Sequence, residues 1–301
     1  MDNITVGIPR SLYYYYYGNL WNNFLTNLGI KVIISPKTNK EIMNLGIKYS
    51  VDEMCLSLKN YVGHIAYLQD KCDYILIPRI DNFGRNDQTC TNFLATYDII
   101  NNLFETKILN YNIDYTKKED EYKAFIELGK KLHKGYSETI LAYEKAKIDD
   151  MNTETKNIRR NIEKLESKKI KLLVVGHPYN IYDEMIGKPI LDLFDEDVEL
   201  IYSNLFDQKQ ANQASKKISK NLYFKYNKEN IGSIELCKDK IDGIVFITAF
   251  PCGPDSLVNE VVIRKINKPY LNLVVDDLDS KSGFETRIES FIDMIKIGGI
   301  K

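Results

Sequence analysis

Short apolar runs alternate with longer stretches of helical spacing along the first third of the chain. The short runs predict strands at residues 4–8, 31–34 and 74–77. A proline follows each of them closely. Between the first two, Leu20, Phe24 and Leu28 recur at helical spacing before Gly29, which predicts a helix over residues 13–28. Strands that alternate with helices predict βαβ units and a mainly parallel sheet.

A second series of the same kind begins near residue 170. It predicts strands at residues 170–175, 198–202, 243–248 and 269–275, and a last helix at 285–297. Residues 119–169 between the two series are charged, with Phe125, Leu128 and Leu132 on one helical stripe. A coiled-coil arm is disfavoured there because the apolar repeat is too short. We therefore predict an N-terminal α/β domain (1–115), a helical linker (116–169) and a C-terminal α/β domain (170–301).

Length and charge narrow the class of protein. The 301 residues, 44% of them hydrophobic, exceed what one core usually supports, so two domains are expected. Lys and Arg (41) nearly balance Asp and Glu (42), which argues against nucleic acid or a membrane surface as partner and favours small molecules or proteins. The first residues, including Asp2, do not form a signal peptide, and no apolar run reaches membrane-spanning length. A cytoplasmic protein is expected.

The five cysteines are the main candidates for chemistry. They are odd in number and form no Cys-x-x-Cys pair, so a disulfide framework is not expected. Cys55, Cys90 and Cys252 each stand at the predicted start of a helix, where the helix dipole stabilises a thiolate. Thiolates in such settings suit iron–sulfur clusters. The alternative is that each is a small buried hydrophobe, and their wide spacing does not decide between the two.

The other candidate residues point to structural roles. Cys72 and Cys237 are interpreted as packing residues. A cysteine hydrolase, which needs His64 or His177 near a reactive thiol, is the third hypothesis. For Cys55 and His64, nine residues along one helix separate the pair by more than two turns. His64 and His177 are expected to be hydrogen-bonded structural residues, and His133 to be solvated. No phosphate-binding glycine motif is present, so any nucleotide is expected to bind to a partner.

Several sequence blocks, taken in order, resemble a known family. They are Gly7–Arg10, Ser35–Thr38, Asp52–Leu56 with Gly63–His64, Pro78–Arg79, Gly176–Asn180, Cys252–Ser256 and Thr286–Asp293. Together they resemble the domain found beside the ATPase module in CoA-enzyme activase proteins, which is related to the 2-hydroxyacyl-CoA dehydratase component D family. The resemblance extends over nearly the whole chain apart from the predicted linker, and Cys-Gly-Pro-Asp-Ser is its most specific block.

The resemblance implies two Rossmann-like or flavodoxin-like domains with a [4Fe-4S] cluster in the cleft between them. Carried over residue by residue, its ligands are Cys55, Cys90 and Cys252. In the dehydratases such a cluster receives one electron from an ATP-hydrolysing activator and passes it to an acyl-CoA. Three ligands leave one iron open for exchange. Three rather than six motif cysteines disfavour a double cubane within one subunit.

Two functions follow as hypotheses. In the first, the chain accepts a low-potential electron from an ATP-dependent activase and passes it to a small substrate or a partner enzyme, as a reductase or a dehydratase-like component. In the second, it is a non-catalytic, activase-associated binding or regulatory module. The substrate, turnover by the isolated chain, and assembly as a homo- or heterodimer are left open by the sequence.

Overall fold

The computed structural model describes residues 4–276 and 281–298. The chain forms two compact units, Met1–Thr153 and Glu154–Lys301. The division falls inside a long helix, Tyr136–Glu163. Residues 116–153 therefore belong to the first unit, and the role of 116–169 as an interdomain linker stays a prediction.

The described part of the first unit, from residue 4 onward, contains six parallel strands. They are β1 (Thr5–Ile8), β2 (Lys31–Ile34), β3 (Tyr74–Leu76), β4 (Arg79–Asn82), β5 (Ile108–Leu109) and β6 (Asn112–Asp114). Four of them form one sheet in the order β2-β1-β3-β5, and β4 pairs with β6 alone. The strands β1, β2 and β3 agree closely with the sequence prediction. The short strands β4, β5 and β6 were not predicted.

The helices of the first unit cover its sheets. They are α1 (Tyr14–Asn27), α2 (Lys40–Tyr49), α3 (Leu56–Leu68), α4 (Thr91–Leu103), α5 (Glu121–Lys131) and α6 (Tyr136–Glu163). Helix α1 ends before Gly29, whose φ of 68° lies in the left-handed region that glycine adopts without strain. The buried face of α1 carries Phe24, which meets Phe125 of α5 edge-on at 4.9 Å, and Trp21, whose Nε1 donates to the Tyr111 hydroxyl at 2.9 Å. Helix α5 thus closes the core of this unit.

The second unit is built on one four-stranded parallel sheet. Its strands are β7 (Ile170–Val175), β8 (Val198–Tyr202), β9 (Gly243–Ala249) and β10 (Tyr270–Val275), in the order β10-β9-β7-β8. Every residue of β9 is buried, since helices cover this central strand. The helices are α7 (Pro178–Ile181), α8 (Lys188–Leu191), α9 (Gln208–Ile218), α10 (Lys225–Cys237), α11 (Gly253–Ile263) and α12 (Lys281–Gly298). All four predicted strands and the last predicted helix are present.

Both units have the same strand order. Counted from its own first strand, each main sheet runs 2-1-3-4, which is the order of flavodoxin-like folds. The prediction of two Rossmann-like or flavodoxin-like parallel-sheet domains is confirmed. In such sheets ligands gather outside the carboxyl ends of the strands, where the strand order reverses. That point lies between β1 and β3 in the first unit and between β7 and β9 in the second.

Among residues 4–276 and 281–298, no helix is both long and apolar enough to cross a membrane. Asp2, which entered the prediction of a cytoplasmic protein, lies outside these residues.

Candidate functional site

Cys55 and Cys90 occupy matching positions in the first unit. Each is the N-cap residue of a helix, Cys55 of α3 and Cys90 of α4. Their backbone angles are nearly the same, with φ and ψ of −64° and 148° for Cys55 and −61° and 145° for Cys90. Both side chains are partly buried, and neither caps its helix through a hydrogen bond. The prediction that both cysteines open helices is confirmed.

The N-terminus of α4 lies against the Cys55 side chain. Nδ2 of Asn92, the second residue of α4, is 3.7 Å from Sγ of Cys55 and donates a hydrogen bond to it. The sulfur of Cys55 thus faces a donor that follows Cys90 by two residues. Backbone N–H groups in the first turns of the two helices add positive partial charge near both sulfurs.

Cys252 belongs to the second unit and has the same local position. It is the N-cap residue of α11, reached directly from the end of β9. Its backbone N–H donates to the Ala249 carbonyl at 2.9 Å, and its own carbonyl accepts from the Ser256 hydroxyl at 2.7 Å. The preceding Phe250–Pro251 peptide is cis. The prediction that Cys252 follows a strand and opens a helix is confirmed, while its role as a ligand stays a prediction.

A buried hydrogen-bonded pair, His177 and Asp255, lies next to Cys252. Nε2 of His177, at the end of β7, is 3.0 Å from Oδ1 of Asp255 in the first turn of α11. The same oxygen accepts from Nδ2 of Asn227 at 2.7 Å. Burial acts to raise the pKa of Asp255, but the charge of His177 and hydrogen bonds from His177, Asn227 and Cys252 outweigh it, so this pKa lies below its usual value. Asp255 is therefore a carboxylate beside a candidate ligand.

Aromatic rings and further buried polar groups surround this pair. The ring of His177 stacks on Tyr179 at 4.9 Å and meets Tyr226 edge-on at 6.2 Å. One turn along α10, Glu229 forms an ion pair with Lys225. Burial raises the pKa of Glu229, and the nearby charge of Lys225 offsets this only in part. The first two turns of α10 thus place polar side chains in the interior at the carboxyl end of the sheet.

The sequence analysis did not find most of this second cluster. Asp255 was visible only as part of the block Cys252–Ser256, and His177 was interpreted as a hydrogen-bonded structural residue, which the structure confirms. Asn227 and Glu229 lie on α10, which had not been singled out. A run of polar residues on a helix between two buried strands was the only available signal.

The remaining cysteines, Cys72 and Cys237, bond to backbone carbonyls, and His133 lies at the surface. Sγ of Cys237 is buried and donates to the Ser233 carbonyl at 3.1 Å, and burial raises the pKa of this thiol to about 12. Sγ of Cys72 donates to the Leu68 carbonyl at 3.5 Å, and burial also raises its pKa. The interpretation of both as packing residues is confirmed. His133 is exposed, as expected.

The surroundings of His64 argue against a role as base for Cys55. Its two ring nitrogens contact the hydroxyls of Ser35, at 2.8 Å, and Thr38, at 3.0 Å. Burial, with a smaller effect from the charge of Arg10, lowers the pKa of His64 to about 3. A histidine that stays neutral and has both nitrogens engaged is poorly suited to take a proton from a thiol. This argues against the cysteine hydrolase hypothesis for this pair.

The chain matches a family model over residues 5–204, about two thirds of its length. The model describes an uncharacterised domain of CoA enzyme activases. The chain belongs to this family. No curated protein matches it. The predicted relation to CoA enzyme activases is thereby confirmed, whereas the relation to dehydratase component D remains a hypothesis.

The matched segment of this CoA enzyme activase domain contains some of the candidate residues and not others. It includes Cys55, Cys90 and His177, and it ends before Cys252 and Asp255. Among the residues that the structure describes, no three His, Cys, Asp or Glu side chains are grouped as metal ligands. Cys55 and Cys90 therefore share a local geometry and both lie within the matched segment. Cys252 lies outside that segment, and only its N-cap position supports it as a candidate.

Proposed function

We propose that this CoA enzyme activase domain is an iron–sulfur protein that accepts a low-potential electron and passes it to a small substrate or a partner enzyme. Its ligands are Cys55, Cys90 and Cys252, and an ATP-dependent activase is the electron donor. The observation that carries the proposal is the pairing of Cys55 and Cys90 at two helix N-termini, linked by the bond from Asn92 to the Cys55 sulfur. A [4Fe-4S] cluster, when bound, supplies reversible one-electron transfer.

The residues of the first unit fit such a group. Cluster binding requires thiolates, and both cysteines stand where helix dipoles stabilise negative sulfur. Asn92 supplies a neutral N–H donor to one sulfur, which is the kind of contact that tunes cluster potentials. By contrast, Cys72 and Cys237 donate to backbone carbonyls and have raised pKa values, so they favour the thiol form.

Cys252 is proposed as the third ligand on two grounds. It repeats the N-cap position of the other two cysteines, and the resemblance of its block to the activase-related proteins assigns it this role. Asp255 accepts a hydrogen bond from its thiol, so ligation requires this bond to be given up. Cys252 is consequently the ligand that the test must examine separately.

Iron and acid-labile sulfide should be measured after anaerobic purification and reconstitution. The wild type is expected to hold about four of each per chain. Cys55→Ala, Cys90→Ala and Cys252→Ala should lose the cluster, and Cys72→Ala, the matched control, should retain it. Circular dichroism of each variant checks that the fold is kept.

Two outcomes would revise the proposal. A folded wild type that binds no iron on reconstitution would overturn the redox function and favour the second hypothesis, a non-catalytic module that associates with an activase. Retention of the cluster by Cys252→Ala alone would remove Cys252 from the ligand set. Reduction that requires both ATP and an activase, followed by visible absorbance, would support the proposed electron donor.

A further inference from the structure

The loop after β1 holds an arginine whose charge has no counter-ion. Arg10 follows the end of β1 by two residues, at the point where the strand order of the first sheet reverses. It is partly buried. Within residues 4–276 and 281–298, its Nη nitrogens have neither a hydrogen-bond acceptor nor a carboxylate partner. A positive charge that is partly withdrawn from water and unpaired in this way is costly unless an anion joins it.

Two contacts hold the guanidinium of Arg10, and a third holds its backbone. Its backbone N–H donates to Oγ of Ser35 at 2.8 Å, and its Nε donates to the Ser35 carbonyl at 3.1 Å. The ring of Tyr14 lies 5.3 Å from the guanidinium carbon. Since Nε is bonded to Ser35 and one face of the guanidinium lies near the Tyr14 ring, the two Nη groups remain as available donors. A planar fork of this kind matches two oxygens of one anion.

A buried histidine, His64, lies close to Arg10. Its pKa is lowered to about 3 by burial and, to a smaller extent, by the charge of Arg10, so His64 is neutral at pH 7. Ser35 links the two, because its hydroxyl contacts both the Arg10 backbone and Nδ1 of His64.

The next residues of the loop add a second observation. Ser11 is only 2% exposed, yet its hydroxyl has no hydrogen-bond partner among the residues that the structure describes. Leu12 has a φ of 46°, a left-handed conformation that costs about 1–2 kcal/mol in a residue other than glycine. The loop thus combines a serine hydroxyl that makes no hydrogen bond to the described residues, a free guanidinium edge and a strained backbone at the ligand-binding end of the sheet.

We infer that Arg10 and Ser11 form a binding site for an oxyanion, either a phosphate or a carboxylate group of a small molecule. The Nη groups of Arg10 bind two oxygens, and the Ser11 hydroxyl donates to the same anion. This site is separate from the candidate cluster ligands and does not depend on the proposed redox function.

The test is calorimetric titration with inorganic phosphate and, separately, with acetate at constant ionic strength in chloride. The wild type should bind one of them saturably, and the anion that binds identifies the group recognised. Arg10→Gln should weaken binding about tenfold or more, because it removes charge-assisted hydrogen bonds. Arg10→Lys should also bind more weakly, since lysine keeps the charge but loses the fork.

Arg85→Gln is the matched control, because Arg85 is an exposed arginine of the same unit and its loss changes net charge equally. It should bind the anion like the wild type. Cys55→Ala should also do so, which separates failure of this site from failure of the cluster. Trp21 fluorescence during urea unfolding checks that Arg10→Gln is folded.

Absence of saturable binding of either anion to the wild type would overturn the inference. Equal weakening by Arg10→Gln and Arg85→Gln would overturn it as well, because it would show a response to net charge alone.

Discussion

The contact between α2 and α3 depends on two glycines, and Gly63→Ala tests it. A Cβ atom added to Gly63 would overlap the carbonyl oxygen of Ile42 and lie 2.9 Å from the backbone nitrogen of Gly46. A Cβ added to Gly46 would overlap the carbonyl oxygen of Lys59. Because the obstacle is backbone in both cases, no side chain can rotate away, and the helices must separate.

The expected magnitude follows from two opposing effects. Alanine stabilises a helix interior by about 1 kcal/mol relative to glycine. Overpacking a tight contact costs about 1–3 kcal/mol, and the upper end applies here because backbone must move. Gly63→Ala should therefore destabilise the first unit by roughly 2 kcal/mol. With a urea m-value of about 2 kcal/mol/M, the midpoint of unfolding should fall by about 1 M.

Because the chain has a single tryptophan, its fluorescence can measure the fall in the urea midpoint for the first unit alone. Trp21 is buried in α1, stacks on Tyr17 at 5.8 Å and donates to the Tyr111 hydroxyl. Its fluorescence should report the urea transition of the unit that contains α2 and α3. Gly135→Ala is the matched control in the same unit, because the nearest atom to the added Cβ is 3.8 Å away. The free energy of unfolding of Gly135→Ala, obtained from its midpoint, should differ from that of the wild type by no more than about 0.5 kcal/mol.

An unchanged Trp21 midpoint for Gly63→Ala, with the control also unchanged, would refute this reasoning. It would mean that α2 and α3 do not approach as closely as the backbone distances require. A fall of equal size in both variants would refute it too, because the effect would then come from glycine replacement in general.

Three further predictions concern single groups. Since burial raises the pKa of Cys237 to about 12, a thiol reagent should label Cys55 well before Cys237 in the native protein, and mass mapping checks the order. Removing the donor to the Cys55 sulfur by Asn92→Ala should lower the potential of a reconstituted cluster by about 40 mV, as measured by redox titration, whereas an unchanged potential would exclude this contact. Burial acts to raise the pKa of Asp114, but its hydrogen bonds hold this pKa well below 3.8, so the carboxylate stabilises the fold above that pH and the stabilisation is lost as the pH falls further. Trp21 unfolding midpoints from pH 6 to pH 3 should therefore fall less steeply in Asp114→Asn, and parallel curves would contradict this.

The main elements of both sheets could be predicted because their signals are local. Strands β2, β7 and β8 have the predicted bounds, since each is a short run rich in β-branched residues or leucine. The strands β4 and β6 consist mostly of polar residues, and β5 has only two residues, so none of the three forms a compact apolar run. They form because neighbouring parts of the chain supply their hydrogen-bond partners.

The sequence predicted only the local features of the candidate site. Helix starts at Cys55, Cys90 and Cys252 follow from the sequence around each cysteine. The bond from Asn92 to the Cys55 sulfur joins residues 37 positions apart, and the bond between His177 and Asp255 joins residues 78 positions apart. No local pattern encodes either bond.

The sequence by itself determined the alternation of strands and helices, the two sheets and the family, because apolar periodicity and helix-ending residues act over a few neighbours. Only the tertiary structure decided which polar groups meet. Parallel strands bring distant loops to one edge of a sheet, so the free guanidinium edge of Arg10 and the buried pair of His177 and Asp255 arise from the order of the strands. That order is set by burial of the whole sheet and not by the residues of any one loop.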